Sequence, residues 1–183
     1  SGGDWELGIR ALRATANVAA EICGGDPTSG VVEMAVRELG VEVSTYLDPI
    51  TGATVRELTA PPHTADNLYF HVSNFTADNR FVLLVSERNG RSALCRVEVE
   101  TGKLAQITDD PAIGARSACP DPRDPRRVYV MKGAKVLMLD PVEGTTREIG
   151  EIPGPHLGGF QQPMPSHDGK HLAVTKQRDA ANW

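Results

Sequence analysis

A strand–turn–strand pattern occurs three times in this chain of 183 residues. The copies are YLDPITGATVRELT (46–59), VEVETGKLAQIT (97–108) and, more loosely, LMLDPVEGTTREI (137–149). Their turn glycines are Gly52, Gly102 and Gly144, spaced by 50 and 42 residues. Glycine supplies the positive φ that a tight hairpin turn requires. The repeat therefore predicts one kind of hairpin used three times.

A second repeated turn alternates with the first one. It is built on Asp78, Asp124 and Asp168, which are spaced by 46 and 44 residues, and each is followed two positions later by a cation and then by an apolar strand. Two interleaved anchors with a period of 40 to 50 residues are typical of a β-propeller blade of four short strands. One such blade cannot bury both of its faces alone, so it must stack on similar neighbours.

The two turns set the positions of the blades. The aspartate turn is predicted to join strands one and two, and the glycine turn strands three and four. On this basis the blades are 43–59 (strands three and four), 66–110 (complete), 114–152 (complete) and 158–183 (strands one and two). The predicted fold is all-β, a partial β-propeller of two full and two half blades. Because propellers usually close with 4 to 8 blades, we expect a fragment of a longer propeller.

The first 39 residues read differently. Apolar residues at steps of three and four predict an amphipathic helix over 5–22, and Val31 to Leu39 predicts a second short helix that ends at Gly40. The predicted organisation is a helical N-terminal segment, 1–39, of unknown role, followed by the partial propeller, 40–183.

Composition excludes some classes of function. A net charge of −5 argues against binding to nucleic acid, and no apolar run approaches the roughly 20 residues that span a bilayer. Cys23, Cys95 and Cys119 lack the spacing of a zinc site. We expect them to be free thiols packed as small hydrophobic residues. The compartment stays open between bacterial cytoplasm and periplasm.

The run from 46 to 110 resembles the N-terminal part of the oligogalacturonate lyase family. The shared motifs are Tyr-x-Asp-x-x-Thr-Gly with Arg-x-Leu-Thr, Asn-x-Tyr-Phe before the first aspartate turn, and Gln-Ile-Thr-Asp at the end. A looser resemblance continues to the end of the chain. This family has a seven-bladed propeller related to TolB-like and WD40-like repeats.

The resemblance implies that the intact protein cleaves short pectin oligogalacturonides by metal-assisted β-elimination. Its implied cofactor is manganese, held by a glutamine and several histidines of later blades. The five histidines of this chain form no such cluster along the sequence, so we assign no catalytic and no metal-binding residue and expect the 183-residue chain to be inactive. The implied partner is an oligogalacturonide or another anionic oligosaccharide.

Candidate substrate-binding residues lie where first strands should converge on the central channel. They are His63, Asn67, Tyr69, His71, Gln161 and Gln162. These types offer hydrogen bonds and stacking faces to a sugar, although ordinary turns or contacts between blades would also use them. The basic run RDPRR (123–127) reads either as a patch for an anionic substrate or as a charged hairpin edge.

Two other classes remain open. A non-catalytic TolB-like propeller would bind a protein or carbohydrate partner through one face. A propeller that gates a peptidase would accompany a hydrolase domain with a G-x-S-x-G motif, which is absent from this sequence.

Overall fold

The computed structural model describes residues 31–88, 90–152 and 162–174, and in these ranges every regular element is a β-strand. The strands are β1 (Val31–Glu33), β2 (Arg37–Val41), β3 (Ser44–Leu47), β4 (Thr54–Glu57), β5 (Thr64–Asp66), β6 (Phe81–Arg88), β7 (Arg91–Glu98), β8 (Lys103–Gln106), β9 (Ile113–Pro120), β10 (Val128–Lys132), β11 (Lys135–Leu139), β12 (Thr145–Glu151), β13 (Met164–Pro165) and β14 (Leu172–Ala173).

The strands form two five-stranded sheets and two hairpins. The first blade has the order β5-β6-β7-β8-β2 and the second blade the order β9-β10-β11-β12-β1. The N-terminal hairpin is β3-β4 and the C-terminal hairpin is β13-β14. All pairings are antiparallel. This arrangement confirms the predicted all-β propeller class, with two full blades and two partial ones.

Both repeated turns occupy their predicted places. Asp78 and Asp124 lie between the first and second strands of the two blades, and Gly102 and Gly144 lie between the third and fourth. Each aspartate accepts a hydrogen bond from the backbone amide two residues later, which is how an Asx-turn closes. The glycine φ angles are +73° and +69°. Because antiparallel strands alternate in direction, both turns lie at one end of a blade, called here the aspartate-turn end.

The predicted helix over Val31 to Leu39 is wrong. Most of this segment lies in β1 and β2, which pair with the outermost strands β12 and β8. An outer strand presents a row of unpaired backbone groups, and this segment supplies partners for them in both blades. That long-range pairing overrides a short helical pattern, since helix propensity is a weak preference. The predicted helix over 5–22 lies outside the described residues.

The core lies between the stacked sheets. Alternate residues of one strand point to opposite faces, so Leu83 and Val85 join a cluster with Val128 and Val130 of the second blade. Leu84 instead packs on the other face of the first blade, together with Val97 and Leu104. A third cluster joins the second blade to Leu172 of the C-terminal hairpin. Each of the two five-stranded sheets therefore has an apolar cluster on both of its faces.

Arginine side chains join neighbouring units at equivalent positions. Arg56 of the N-terminal hairpin donates to the carbonyl oxygens of Val99 and Glu100, which precede the turn glycine of the first blade. Arg96 of the first blade donates in the same way to the carbonyl oxygens of Pro141 and Val142, which precede the turn glycine of the second blade. Burial lowers the pKa of Arg96, but a guanidinium stays charged. These bonds satisfy turn carbonyls with a charged donor.

Gly144→Ala should destabilise the protein more than Gly52→Ala. Both glycines have φ near +70°, where alanine costs about 1–2 kcal/mol. A Cβ at Gly144 would also lie 2.6 Å from the backbone oxygen of Met34, whereas a Cβ at Gly52 would meet nothing within 4 Å. Overpacking adds about 1 kcal/mol or more. Urea denaturation of both variants measures the difference, and equal costs would contradict the packing of β1 and β2 against the blades.

Arg96→Met should lower the free energy of unfolding by about 2 kcal/mol, because hydrogen bonds to charged groups are the stronger ones. Arg80→Met is the matched control. Both guanidiniums lie over the Phe81 ring, Arg80 at 4.8 Å and Arg96 at 4.9 Å from its centroid. Arg80, however, is largely exposed and pairs with Glu98 of its own blade, and such a surface ion pair contributes less than about 1 kcal/mol. If thermal denaturation gives equal losses, the contact between blades does not stabilise the fold.

Candidate functional site

The first strand of the first blade is interrupted at its free edge. The ladder between β5 and β6 ends at the pair Asp66 and Val85, and the chain rejoins β6 at the bridge between Phe75 and Val82. Between these two pairings the chain of the first strand covers nine residues, from 66 to 75, whereas β6 covers only three, from 85 to 82. The extra residues leave the sheet as a loop, 67–74, called here the inner loop. Because β5 is the innermost strand of the blade, this loop lies on the channel side.

The inner loop carries a cluster of three rings. The ring centroids of Tyr69 and Phe70 are 4.5 Å apart, and His71 meets Tyr69 edge-on at 4.6 Å. Phe70 is 86% exposed and Tyr69 39% exposed, whereas Leu68 is buried and anchors the loop. Exposed aromatic faces beside polar groups are suited to the apolar face of a sugar ring.

Hydrogen bonds give the inner loop a defined shape. The Nδ2 group of Asn74 donates to the carbonyl of Leu83 at 2.9 Å and to Oδ1 of Asn67 at 3.4 Å. The amide of Val72 donates to the carbonyl of Tyr69 at 3.0 Å. The loop is thus tied to β6 at one point and closed by its own turn, which positions the rings before any ligand arrives.

An ion pair joins the innermost strands next to this loop. Arg116 of β9 contacts the carboxylate of Asp66 of β5, and the two side chains are 59% and 57% exposed. Exposed pairs of this kind contribute little to stability. The Arg116 side chain is thus largely exposed at the edge shared by the two blades, and its partner Asp66 directly precedes the inner loop.

The structure brings together only some of the candidate residues. Asn67, Tyr69 and His71 all lie in the inner loop, and His63 lies just before β5, at the blade end opposite the aspartate turns. Gln162 is 5% exposed, and its Nε2 donates to the carbonyl of Ala118 in β9 at 3.0 Å. Gln162 thus makes a contact between blades, which the sequence left open as the alternative to a role in sugar binding. Gln161 lies outside the described residues.

Phe70 is the functional candidate that the sequence reasoning missed. It belongs to the Asn-x-Tyr-Phe motif, but a phenylalanine in a predicted strand suggests a core position. Only the interruption of the first strand makes it one of the most exposed large apolar side chains of the described residues. Two adjacent aromatic residues at a strand position were the available signal.

A buried titratable cluster elsewhere has a structural role. Asp121 has no exposed surface. Burial works to raise its pKa, but the amide of Arg123, the Tyr129 hydroxyl and the Arg123 guanidinium together lower that pKa. Burial and Asp121 raise the pKa of Tyr129 to about 12, so the tyrosine stays protonated. The Arg123 guanidinium also lies against the turn at Gly169, so the cluster joins the second blade to the C-terminal hairpin.

The basic run at 123–127 is a charged turn. Arg123 pairs with Asp121 at 3.3 Å, Arg126 with Asp140 at 2.6 Å, and Arg127 with Asp124 within the run itself. Each cation has a nearby carboxylate. This pairing accounts for the basic run without an anionic ligand.

The cysteines of the described residues are buried and free. Burial raises the pKa of both Cys95 and Cys119 to about 11, so both remain thiols at neutral pH. Cys23 lies outside the described residues. Across 31–88, 90–152 and 162–174, no three His, Cys, Asp or Glu side chains form a group that could hold a metal ion. The same ranges contain no helix long and apolar enough to cross a bilayer.

In each blade four consecutive strands form an antiparallel sheet, to which β2 or β1 adds a fifth strand at the outer edge. Repeated units of four consecutive strands that stack face to face are typical of a β-propeller. The sequence matches no family model and no curated protein, but solved structures share the fold.

An oligogalacturonate lyase in complex with manganese has a TM-score of 0.58 and 24% identity, covering 66% of this chain and 32% of that one. The oligogalacturonate lyase of Vibrio parahaemolyticus has a TM-score of 0.57 and 17% identity, and the match covers 74% of this chain and 34% of that lyase. TolB of Acinetobacter baumannii has a TM-score of 0.53 and 16% identity, and the match covers 85% of this chain and 38% of TolB. The chain spans about a third of the length of the two lyases. At these identities the likeness is one of fold.

Proposed function

We propose that the intact protein binds short oligogalacturonides at the channel edge and cleaves them by β-elimination. The observation that carries this proposal is the exposed ring cluster of the inner loop, together with the exposed guanidinium of Arg116, which pairs with Asp66 directly before that loop. Aromatic faces suit sugar rings, and arginine suits carboxylates. An acidic sugar needs both kinds of contact. The fold shared with two oligogalacturonate lyases supports the reaction class.

The reaction requires few steps. A base removes the proton on the carbon next to the uronate carboxylate. The released electron pair forms a carbon–carbon double bond, and the neighbouring bond to the glycosidic oxygen breaks. That oxygen takes a proton and leaves as the hydroxyl of the departing sugar. The products are a shortened saccharide and an unsaturated uronate.

The residues of this chain have binding roles in the proposal. Tyr69 and Phe70 stack on a sugar ring, Asn67 and His71 offer hydrogen bonds to its hydroxyls, and Arg116 pairs with a carboxylate. His63 precedes β5, whereas the inner loop follows it, so in the proposal His63 contacts a part of the saccharide farther from the ring cluster. The described residues do not fit a manganese site, so we assign no step to the metal and no catalytic base to this chain.

The direct test is an assay of the intact protein with digalacturonate and manganese. The conjugated double bond of the product absorbs in the ultraviolet, so turnover appears as rising absorbance, and mass spectrometry of the products confirms elimination over hydrolysis. Absence of any unsaturated product would overturn the lyase proposal. Turnover by the 183-residue chain alone would show that the catalytic groups lie within it.

Phe70→Ala should weaken binding of trigalacturonate without destabilising the protein, because this ring is largely exposed. The loss of one stacking face corresponds to about 1 kcal/mol, or roughly fivefold in Kd. Tyr46→Ala is the control, since it removes a partly exposed ring from the N-terminal hairpin. Isothermal titration calorimetry of both variants measures the effect. Equal affinities for the two variants would exclude the inner loop from the binding site.

A non-catalytic TolB-like binder is the second candidate. The TolB match covers 85% of this chain, more than either lyase match. In that case the exposed rings of the inner loop would meet a protein or carbohydrate partner. Binding of trigalacturonate without unsaturated product would favour a carbohydrate binder, and absence of both would favour a protein partner.

A further inference from the structure

A second anion-binding feature lies away from the inner loop, at the end of the first blade where β6 turns into β7. A cavity of about 380 Å³ opens there. Its charged and amide lining consists of Arg37, Arg88, Arg91, Gln106, Asp109 and Asp110. Three guanidiniums from three different strands therefore face one space, in a protein whose net charge is −5. This feature is called here the arginine cavity.

Arg88 is the fixed wall of the arginine cavity. It is 8% exposed. Its Nε donates to the Ser86 hydroxyl at 3.1 Å, and its Nη2 lies 2.9 Å from the carboxylate of Glu42. Glu42 also accepts the amide of Ala60 at 3.1 Å. The charge of Arg88 is thus compensated and its side chain is held in place.

Arg37 and Arg91 differ from Arg88 because neither guanidinium makes an ion pair or hydrogen bond to another described residue. Arg91 is also directly opposite Arg88 in the last pair of the ladder, an arrangement of like charges that costs stability. Of the two lining acids, Asp110 is already engaged by Lys132 at 2.6 Å. Among the described lining residues, Asp109 alone remains to offset these two guanidiniums.

The second blade shows the same turn with its charges balanced. There Lys132 and Lys135 are directly opposite each other, at the place that Arg88 and Arg91 occupy in the first blade. Lys132 pairs with Asp110, and Lys135 pairs with Glu148 at 2.7 Å. The repeat therefore places a cation pair at both turns, but supplies a carboxylate for every cation only in the second blade. The first blade leaves room for an external carboxylate.

We propose that the arginine cavity binds a uronate carboxylate, with Arg37 and Arg91 as its ligands and Arg88 as the wall behind them. This inference rests on the proposed function and adds a second contact for the same acidic saccharide. Thr64, next to His63, pairs with Glu87, next to Arg88. The cavity therefore opens at the same blade end as His63. Arg37 lies in β2, the strand farthest from β5 in this sheet, so a saccharide bound at the channel edge would reach the cavity by extending across this end of the blade.

The test is titration of the intact protein with trigalacturonate, comparing wild type with the double variant Arg37→Gln/Arg91→Gln. We expect about a tenfold weaker Kd and a smaller dependence of affinity on salt. Because neither guanidinium has an ion-pair or hydrogen-bond partner in the described residues, the urea midpoint of the double variant should not fall. Arg80→Gln is the control, since it removes the same charge from the aspartate-turn end of the same blade. It should bind within twofold of wild type.

Each outcome decides one of the two proposals. Tight binding by wild type and equally tight binding by the double variant would overturn the arginine cavity and leave the lyase proposal intact. If wild type binds inorganic phosphate as tightly as trigalacturonate and the double variant loses both, the sugar assignment is wrong. If trigalacturonate does not bind to wild type at all, the proposed function is wrong, and the arginine cavity proposal, which rests on it, is wrong as well. Arg91→Lys keeps the charge without the planar fork and should lose about threefold, which a nonspecific charge effect would not produce.

Discussion

Burial of both faces of the two five-stranded sheets is the constraint on which this structure depends. In β6, Leu83 packs towards the second blade while Leu84 packs towards the opposite side. A sheet with two apolar faces is stable only between two neighbours. Stacking therefore determines where the strands lie, which turns meet, and why Arg96 reaches the turn of the next blade. The charged contacts between blades refine an order that apolar burial imposes.

Stacking leaves only the inner edges and the ends of the blades for function. The inner loop departs from the free edge of β5, and the arginine cavity opens where β6 turns into β7. Leu68 anchors the inner loop in the central apolar cluster between the blades, but neither the exposed rings of the loop nor the arginines of the cavity belong to that cluster. Sugar-binding chemistry can therefore be placed on this scaffold without loss of its core, and the same fold can serve proteins with different functions.

The predictions from sequence succeeded where the signal was local. Asp78 and Gly102 determine turns through their own backbone geometry, so their spacing located the strands of the first blade. The predictions failed where distant residues decide. Residues 31–39 carry a short helical pattern, yet most of them pair in two strands with residues more than 60 positions away. The sequence also could not indicate that the Gln162 amide donates to the carbonyl of Ala118 in the second blade.

The sequence by itself determined the repeating unit, because a positive φ at glycine and an aspartate-closed turn depend on neighbours a few residues apart. It also indicated which residue types offer sugar contacts. Only the tertiary structure decided which of those residues share a surface. The interruption of the first strand exposes Phe70, and the approach of β2 to the first blade brings Arg37 to Arg91. These positions depend on long-range strand pairing, whose register is set by packing across the whole sheet.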